Sequence, residues 1–427
     1  MEKGRLRALL PIGVFLVSFL GMGIISGDFN HMPTVVGFLL ALMTAFFQNR
    51  SLNFDEKIKV ITKGVGDENI ITMCLIFLAA GGFSGAVKAA GGADSTVNFC
   101  LSILPSSVAV MGLMLIGCFI SLSMGTSMGT IAALAPIAVG ISEKTGFPMA
   151  LCIGAVVSGA MFGDNLSMIS DTTIAAVKTQ GCEMKDKFKA NFLIVLPAAV
   201  VSLLVFFLIT RQADYTLDAE LEYNLLQIVP YLVVLVGALI GFNVFLVLIS
   251  GTVLSLIVGA ATGTIEPLGI FSAVGEGVTG MYDITVISLL VACVVALMRE
   301  YGGISYILQF IRKRIRGQKG AQLGIALLAL LVDMTTANNT VAIVIAGPIA
   351  KEIGNEYGIE PKRTASLLDI FASVGQGLLP YGAQLLLAAE ATKLAPFQIM
   401  PYLFYPWMMG VSALFFIVFG KNRKKTA

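Results

Sequence analysis

The chain has 427 residues, of which 57% are hydrophobic and only 13% charged, with a formal net charge of +2 at pH 7. Soluble domains carry roughly 25% charged residues, so this chain lacks the charge to wet a globular surface, and its mean hydropathy is +0.89. Apolar runs long enough to cross a bilayer recur from end to end; the composition excludes a soluble enzyme, a secreted disulfide scaffold and a nucleic-acid binder, and reads as an all-α polytopic membrane protein.

Other classes fall away on missing chemistry. No Walker A glycine loop is present, so ATP does not drive the protein directly. The six cysteines form no CxxC pair and lie mostly inside apolar runs, where they read as packing residues. One histidine, His31, argues against a metal centre or a histidine proton relay, and a membrane-embedded enzyme lacks a credible nucleophile. The basic N-terminus Met1–Arg7 has no small-residue cleavage site after the first apolar run, which is therefore read as a retained span.

In chain order, full spans fall at 8–26, 31–47, 69–88, 148–178, 191–210, 225–240, 243–262, 284–300, 363–391 and 399–420, about 10 in all. Two units, 99–142 and 321–353, have a long leg, a break rich in Gly, Thr, Ser or Asn, and a shorter second leg. The leg 130–142 is roughly 20 Å long at 1.5 Å per residue, short for a hydrocarbon core of about 30 Å. Both units are read as re-entrant hairpins with tips at mid-membrane. With each hairpin returning to its own side, the basic clusters Arg50–Lys63, Lys185–Lys189, Arg312–Lys319 and Lys421–Lys425 fall on the cytoplasmic side together with both termini. Asp94, the Asp214–Glu222 segment, Glu266 and Glu276 fall outside.

The chain repeats itself at a shift of 212 residues: Ile131, Pro136, Ile137, Ala138, Ile141, Gly146, Gly163 and Leu166 match Ile343, Pro348, Ile349, Ala350, Ile353, Gly358, Gly375 and Leu378. Slightly upstream, at a shift of 211, Lys88, Gly91 and Gly92 match Arg299, Gly302 and Gly303. The loop charges make the two halves inverted, with a first repeat 1–210, a linker 211–224 and a second repeat 225–427. Inverted repeats with broken helices facing each other at the midplane are the architecture of secondary transporters. Alternating access suits this arrangement better than a passive channel.

The chemistry is expected at Phe162-Gly163-Asp164-Asn165-Leu166-Ser167-Met168-Ile169-Ser170-Asp171-Thr172-Thr173, the centre of 148–178. An ionisable group at that depth is a functional candidate by default. Gly163 and Asn165 favour a helix break, which frees carbonyls; with Asp164, Asn165, Ser127 and Ser167 these are hard oxygen donors suited to Na+. Asp171 stands two turns beyond Asp164 and shares its face if the helix resumes, next to Thr172; alternatively it caps a helix end. The matching centre is Val374-Gly375-Gln376-Gly377-Leu378-Leu379-Pro380, where Gln376 replaces Asp164. Hairpin tips Gly125–Thr130 and Thr335–Thr340 offer Thr126, Ser127, Asn338 and Asn339. Gly125–Gly129 also fits a G-x-S-x-G nucleophile pattern, set aside for want of a histidine.

Protons must then ride on carboxylates: Asp164 first, Asp171 next, with Asp369 or Asp333 assisting. One buried carboxylate can hold either H+ or Na+, and competition for it gives exchange without other machinery. Lys88 and Arg299, at equivalent span ends, snorkel to the interface. The rival reading is a Na+- or H+-coupled carrier of a small amino acid or carboxylate, contacted by Ser127, Asn165, Asn338, Asn339 and Gln376. The absence of a basic residue at the expected centre disfavours a multiply charged anion.

Gly154–Thr173, with Ser158-Gly159-Ala160, Phe162-Gly163-Asp164 and Ser170-Asp171-Thr172-Thr173, resembles the NhaC-type Na+/H+ antiporters of the ion transporter superfamily. The stretch from Asn338 through Pro348, Asp369 and Pro380 to Pro401-Tyr402 is similar to that family's C-terminal half. The resemblance implies paired hairpins, an elevator-like moving domain, a homodimer and residence in a bacterial-type inner membrane. The chain departs from it at Met168, where Pro is frequent, at Leu368-Asp369, where an acidic pair is frequent, and at Tyr381-Gly382, where Trp-Asn is frequent. Relatives similar in fold exchange dicarboxylates or amino acids, which keeps an organic substrate open.

Overall fold

The computed structural model describes residues 4–26, 32–49, 51–103, 106–168, 170–211, 222–240 and 242–420. His31, most of the linker and the basic cluster Lys421–Lys425 lie outside them. Among the described residues the chain is helical with no strand, as an apolar chain that must satisfy its own backbone requires.

The first half opens with α1 (Leu10–Ser26) and α2 (Thr34–Gln48), packed together, and α3 (Phe54–Val65). A reciprocal cap fixes the start of α3: Asn53 accepts from the Glu56 N–H while Glu56 accepts from the Asn53 N–H. Then follow α4 (Glu68–Ala89), α5 (Gly92–Ile103), the pair α6 (Ser106–Met124) and α7 (Ser127–Thr145), then α8 (Met149–Leu166), α9 (Asp171–Gln180) and α10 (Met184–Thr210). The second half runs α11 (Leu225–Ile240), α12 (Val244–Thr262), α13 (Ile270–Thr279), α14 (Tyr282–Glu300), α15 (Gly303–Arg312), and the pair α16 (Gly317–Thr336) and α17 (Asn339–Glu356). It closes with α18 (Pro361–Leu378), α19 (Ala383–Thr392), α20 (Pro396–Ile399) and α21 (Phe404–Phe419).

The helix boundaries carry the repeat. The starts of α7, α8 and α9 (Ser127, Met149, Asp171) lie 212 residues before those of α17, α18 and α19 (Asn339, Pro361, Ala383). Matched residues cause the matched ends. Gly146 and Gly358, which follow α7 and α17, take left-handed φ of 72° and 68°, which a side chain would strain. Gly163 and Gly375 let broken helices approach their neighbours. A Cβ on Gly163 would stand 2.5 Å from the Cys118 carbonyl oxygen of α6, and one on Gly375 would stand 2.5 Å from Asp333 Oδ2 of α16.

Some boundaries differ from the sequence reading. Residues 99–103 belong to α5, and the second leg of the first pair is α7, 19 residues long, not 130–142. Thr126 caps it early and Gly146 stops it late, so it spans roughly 28 Å at 1.5 Å per residue. Broken tips, more than a short leg, therefore distinguish the two pairs. The span read at 284–300 extends back through α13 as the apolar run Ile270–Glu300, and 399–420 is bent by 56° between α20 and α21, beside Pro401.

Among the described residues eight helical runs are long and apolar enough to cross a membrane, or nine with the bent pair. Burial within an 18-residue apolar stretch of each differs sharply: 89% in Met149–Gln180 and 94% in Pro361–Thr392, against 33% in Met184–Thr210 and in Phe245–Thr262. The two broken runs thus form the centre of the molecule, and α10 and α12 turn large apolar faces outward.

Candidate ion-binding site

α8 stops at Ser167, whose ψ of 134° is extended, and α9 restarts after Ser170, whose ψ is 137°. Asp164 sits in the last turn of α8, buried. Its Oδ2 accepts from the Ser127 hydroxyl at 2.7 Å and from the Ser127 N–H at 3.2 Å, and its Oδ1 accepts from Ser170 Oγ at 2.6 Å. Ser170 Oγ also lies 2.9 Å from Thr172 Oγ1. Ser127 is the first residue of α7, so the carboxylate faces a helix N-terminus, where free N–H groups and the helix dipole favour negative charge. Asp164 thereby ties the tip between α6 and α7 to the unwound segment of the broken span.

Asn165 turns the other way. Its Nδ2 donates to Asp369 Oδ2 at 3.0 Å and to Ser373 Oγ at 3.3 Å, both on α18. The same carboxylate oxygen accepts from Lys187 Nζ at 2.5 Å and from Asn191 Nδ2 at 3.1 Å. Lys187 also donates to the Asn165 carbonyl at 3.1 Å and to Thr173 Oγ1 at 2.8 Å, and Ser366 Oγ donates to Asn191 Oδ1 at 2.5 Å. The carbonyl freed at the end of α8 is thus satisfied by side chains of α10. Lys187 and Asp369 are 1% and 0% exposed, a fully buried ion pair.

This pair corrects the sequence reading, which counted Lys187 among the cytoplasmic loop charges and expected no base at the centre. The neighbouring Lys185 and Lys189 disguised it. A signal was present: Lys187 and Asn191 stand four apart and lead the stripe Ile194, Val195, Ala198 and Ser202, the buried face of α10.

The other expected site residues divide. Gln376 approaches Gln384 at 2.9 Å, and Gln384 reaches Ser127 Oγ at 3.0 Å, which joins the second half to Asp164. Ser167 is buried and caps α8 through its N–H to the Gly163 carbonyl at 2.8 Å. Thr172 is buried beside Ser170. Asp171 is exposed: the break at 167–170 removes the shared face that an unbroken helix would have given it with Asp164. Thr126 caps α7, accepting from the Gly129 N–H at 3.5 Å, and Asn338 caps α17, accepting from the Val341 N–H at 3.0 Å. Asn338 also lines a separate cavity of about 340 Å³ with Lys63, Asp67, Arg299 and Glu300. Asn339 Oδ1 accepts from the Thr340 N–H at 3.1 Å. Of the four residues expected to hold Na+, Asp164 and Ser127 are in contact and Asn165 faces Asp369 instead. Ser170 and Thr173 lay in the stretch where the chemistry was expected but were given no contact of their own; Lys187, Asn191, Ser366, Ser373 and Gln384 were missed.

The sequence model described as the Na+/H+ antiporter family matches residues 6–208 and 218–421. The chain is 20% identical to the "Malate-2H(+)/Na(+)-lactate antiporter" of Bacillus subtilis (strain 168), over 99% of this chain and 97% of that one. It is 22% identical to the Na+/H+ antiporter NhaC of Alkalihalophilus pseudofirmus, over 96% and 94%. It is also 22% identical to the arginine/ornithine antiporter ArcD of Halobacterium salinarum, over 93% and 88%.

Proposed function

The chain belongs to the Na+/H+ antiporter family, a family of multi-pass membrane transporters, and from that premise we propose that it exchanges Na+ for H+ by alternating access, with Asp164 holding either ion. The observation that carries this reading is the buried Asp164 carboxylate clasped by Ser127 from the α7 tip and Ser170 from the unwound segment. Asp164 with the hydroxyls of Ser127, Ser170 and Thr172 offers an oxygen set suited to Na+. When Na+ leaves, a proton takes its place on Asp164, so the same group carries charge in both directions. Inverted halves, a central unit of broken helices moving as an elevator, a homodimer in an inner membrane and cytoplasmic termini complete the proposal. The concentration of burial in 149–180 and 361–392 supports a central moving unit.

One observation favours a second reading, a cation-coupled exchange of a small carboxylate or amino acid. Lys187 places an ammonium beside the broken helix, and relatives named for malate, lactate, arginine and ornithine exchange cover nearly the whole chain. Reconstitution separates the two. Liposomes with a trapped pH-sensitive dye should change internal pH on addition of Na+ alone, and vesicles carrying Asp164→Asn should not. A response that waits for one member of an amino-acid and carboxylate panel would establish the second reading.

A further inference from the structure

Lys57 is a buried cation without a counter-ion. It stands at the start of α3, is 7% exposed, and among the described residues no carboxylate pairs with it. Its ammonium makes one hydrogen bond, to the Phe46 carbonyl in the last turn of α2 at 2.6 Å. An ammonium has three donors, and one neutral carbonyl does not offset the loss of water around a full charge. The acids beside it in sequence do not serve. Glu56 accepts from the Asn53 N–H at 2.8 Å, and Asp55 is exposed.

The turn between α2 and α3 holds this lysine against an apolar wall. The reciprocal cap at Asn53 fixes the start of α3, which sets Phe54 and Lys57 three apart on one face. Phe54 stacks on Phe46 of α2, with ring centroids 5.8 Å apart. With Leu39, Met43 and Phe47 these rings wall a notch of about 730 Å³, whose lining among the described residues is otherwise apolar apart from Lys57. Leu39, Met43 and Phe47 are exposed and follow one another every four residues. They make an apolar stripe roughly 12 Å long at 1.5 Å per residue, leading away from Lys57 along α2.

We propose that the notch between α2 and α3 is a binding site for one anionic phospholipid, with its phosphate on Lys57 and an acyl chain along Leu39, Met43 and Phe47. Five of the 12 residues of α3 are charged, and at roughly 18 Å it is too short to cross a bilayer. A helix of that kind lies at the membrane surface, which sets Lys57 at headgroup depth and the stripe of α2 among the lipid chains. The remaining donors of Lys57 meet phosphate oxygens as charge-assisted hydrogen bonds. A phosphatidylglycerol headgroup leaves its phosphate charge free for Lys57, whereas a choline headgroup brings its own cation. Lys59 and Lys63 on the same helix add to the attraction for an anionic leaflet.

The test titrates the delipidated full chain in detergent with phosphatidylglycerol and reads lipid occupancy by native mass spectrometry. The first lipid should bind more tightly than phosphatidylcholine with the same chains. Lys57→Met should weaken it at least about fivefold, the share of one lysine near an anionic surface, and Lys57→Arg should keep most of the affinity. Met43→Trp fills the stripe from an exposed position and leaves the charge in place; it should weaken binding too. Because Lys57→Met also removes a cap from α2, Met43→Trp decides the matter if the first variant does not fold. Equal affinity for the two lipids, or an affinity unchanged in either variant, would overturn the site and leave Lys57 as a cap of α2. Displacement of the lipid by millimolar inorganic phosphate would overturn it as well, since the anion would then bind without its chain.

Discussion

Lys187 and Asp369 are buried together with Asn165, Asn191 and Thr173 around them. Removing one member of such a pair leaves an uncompensated charge, at a cost of about 3–5 kcal/mol. Lys187→Met should therefore lower the thermal midpoint of the detergent-purified protein strongly, and Lys187→Met with Asp369→Asn should recover most of the loss; a double variant no more stable than the single would show that the pair is not the cause. Asp171 gives the opposite prediction. It is exposed at the start of α9, so Asp171→Asn should leave Na+-driven exchange close to wild type, measured in liposomes beside Asp164→Asn. Legibility at this scale followed chemistry. Asp164 stood out as a carboxylate inside an apolar run, whereas Lys187 was hidden among loop lysines and Gln384 had nothing beside it to mark its distance to Ser127, a contact between residues 257 apart in sequence.

Among the helices, the broken runs owe their geometry to caps and glycines. Thr126 caps α7 at 3.5 Å and Asn338 caps α17 at 3.0 Å. Loss of a cap costs about 1 kcal/mol, and the shorter bond should cost more, so Asn338→Ala should reduce the unfolding midpoint further than Thr126→Ala. The close approach of α8 to α6 leaves no room at Gly163, where a Cβ would meet the Cys118 carbonyl oxygen at 2.5 Å. Backbone cannot yield as a flexible side chain can, so Gly163→Ala should cost about 1–3 kcal/mol by overpacking, read as a drop in the same midpoint. The duplicated Pro and Gly positions made the repeat legible before the structure. Leg lengths were less so, because a cap that adds one turn to a helix depends on a hydroxyl or amide finding an N–H, which periodicity does not reveal.

At the scale of the molecule, the sequence identifies a membrane protein from its low charge content and recurring apolar runs, and locates its centre from two broken ones. What it did not reveal is how the runs divide the chemistry. Asp164 and Asn165 are adjacent, yet one faces Ser127 and Ser170 and the other faces Asp369, because successive residues of a helix point about 100° apart. The site is thus two clusters back to back on the end of α8, one built on a carboxylate with hydroxyl donors and the other on a closed ion pair. In the proposed cycle the first exchanges ions while the second holds α8, α10 and α18 together. The measurement that tests this most directly is equilibrium binding of radiolabelled Na+ to the purified protein at a series of pH values, with wild type and Asp164→Asn side by side. Competition at Asp164 predicts that wild-type affinity falls as pH falls, because protons occupy the same carboxylate, and that the variant loses this binding. Na+ binding that persists in Asp164→Asn with an unchanged dependence on pH would contradict the account.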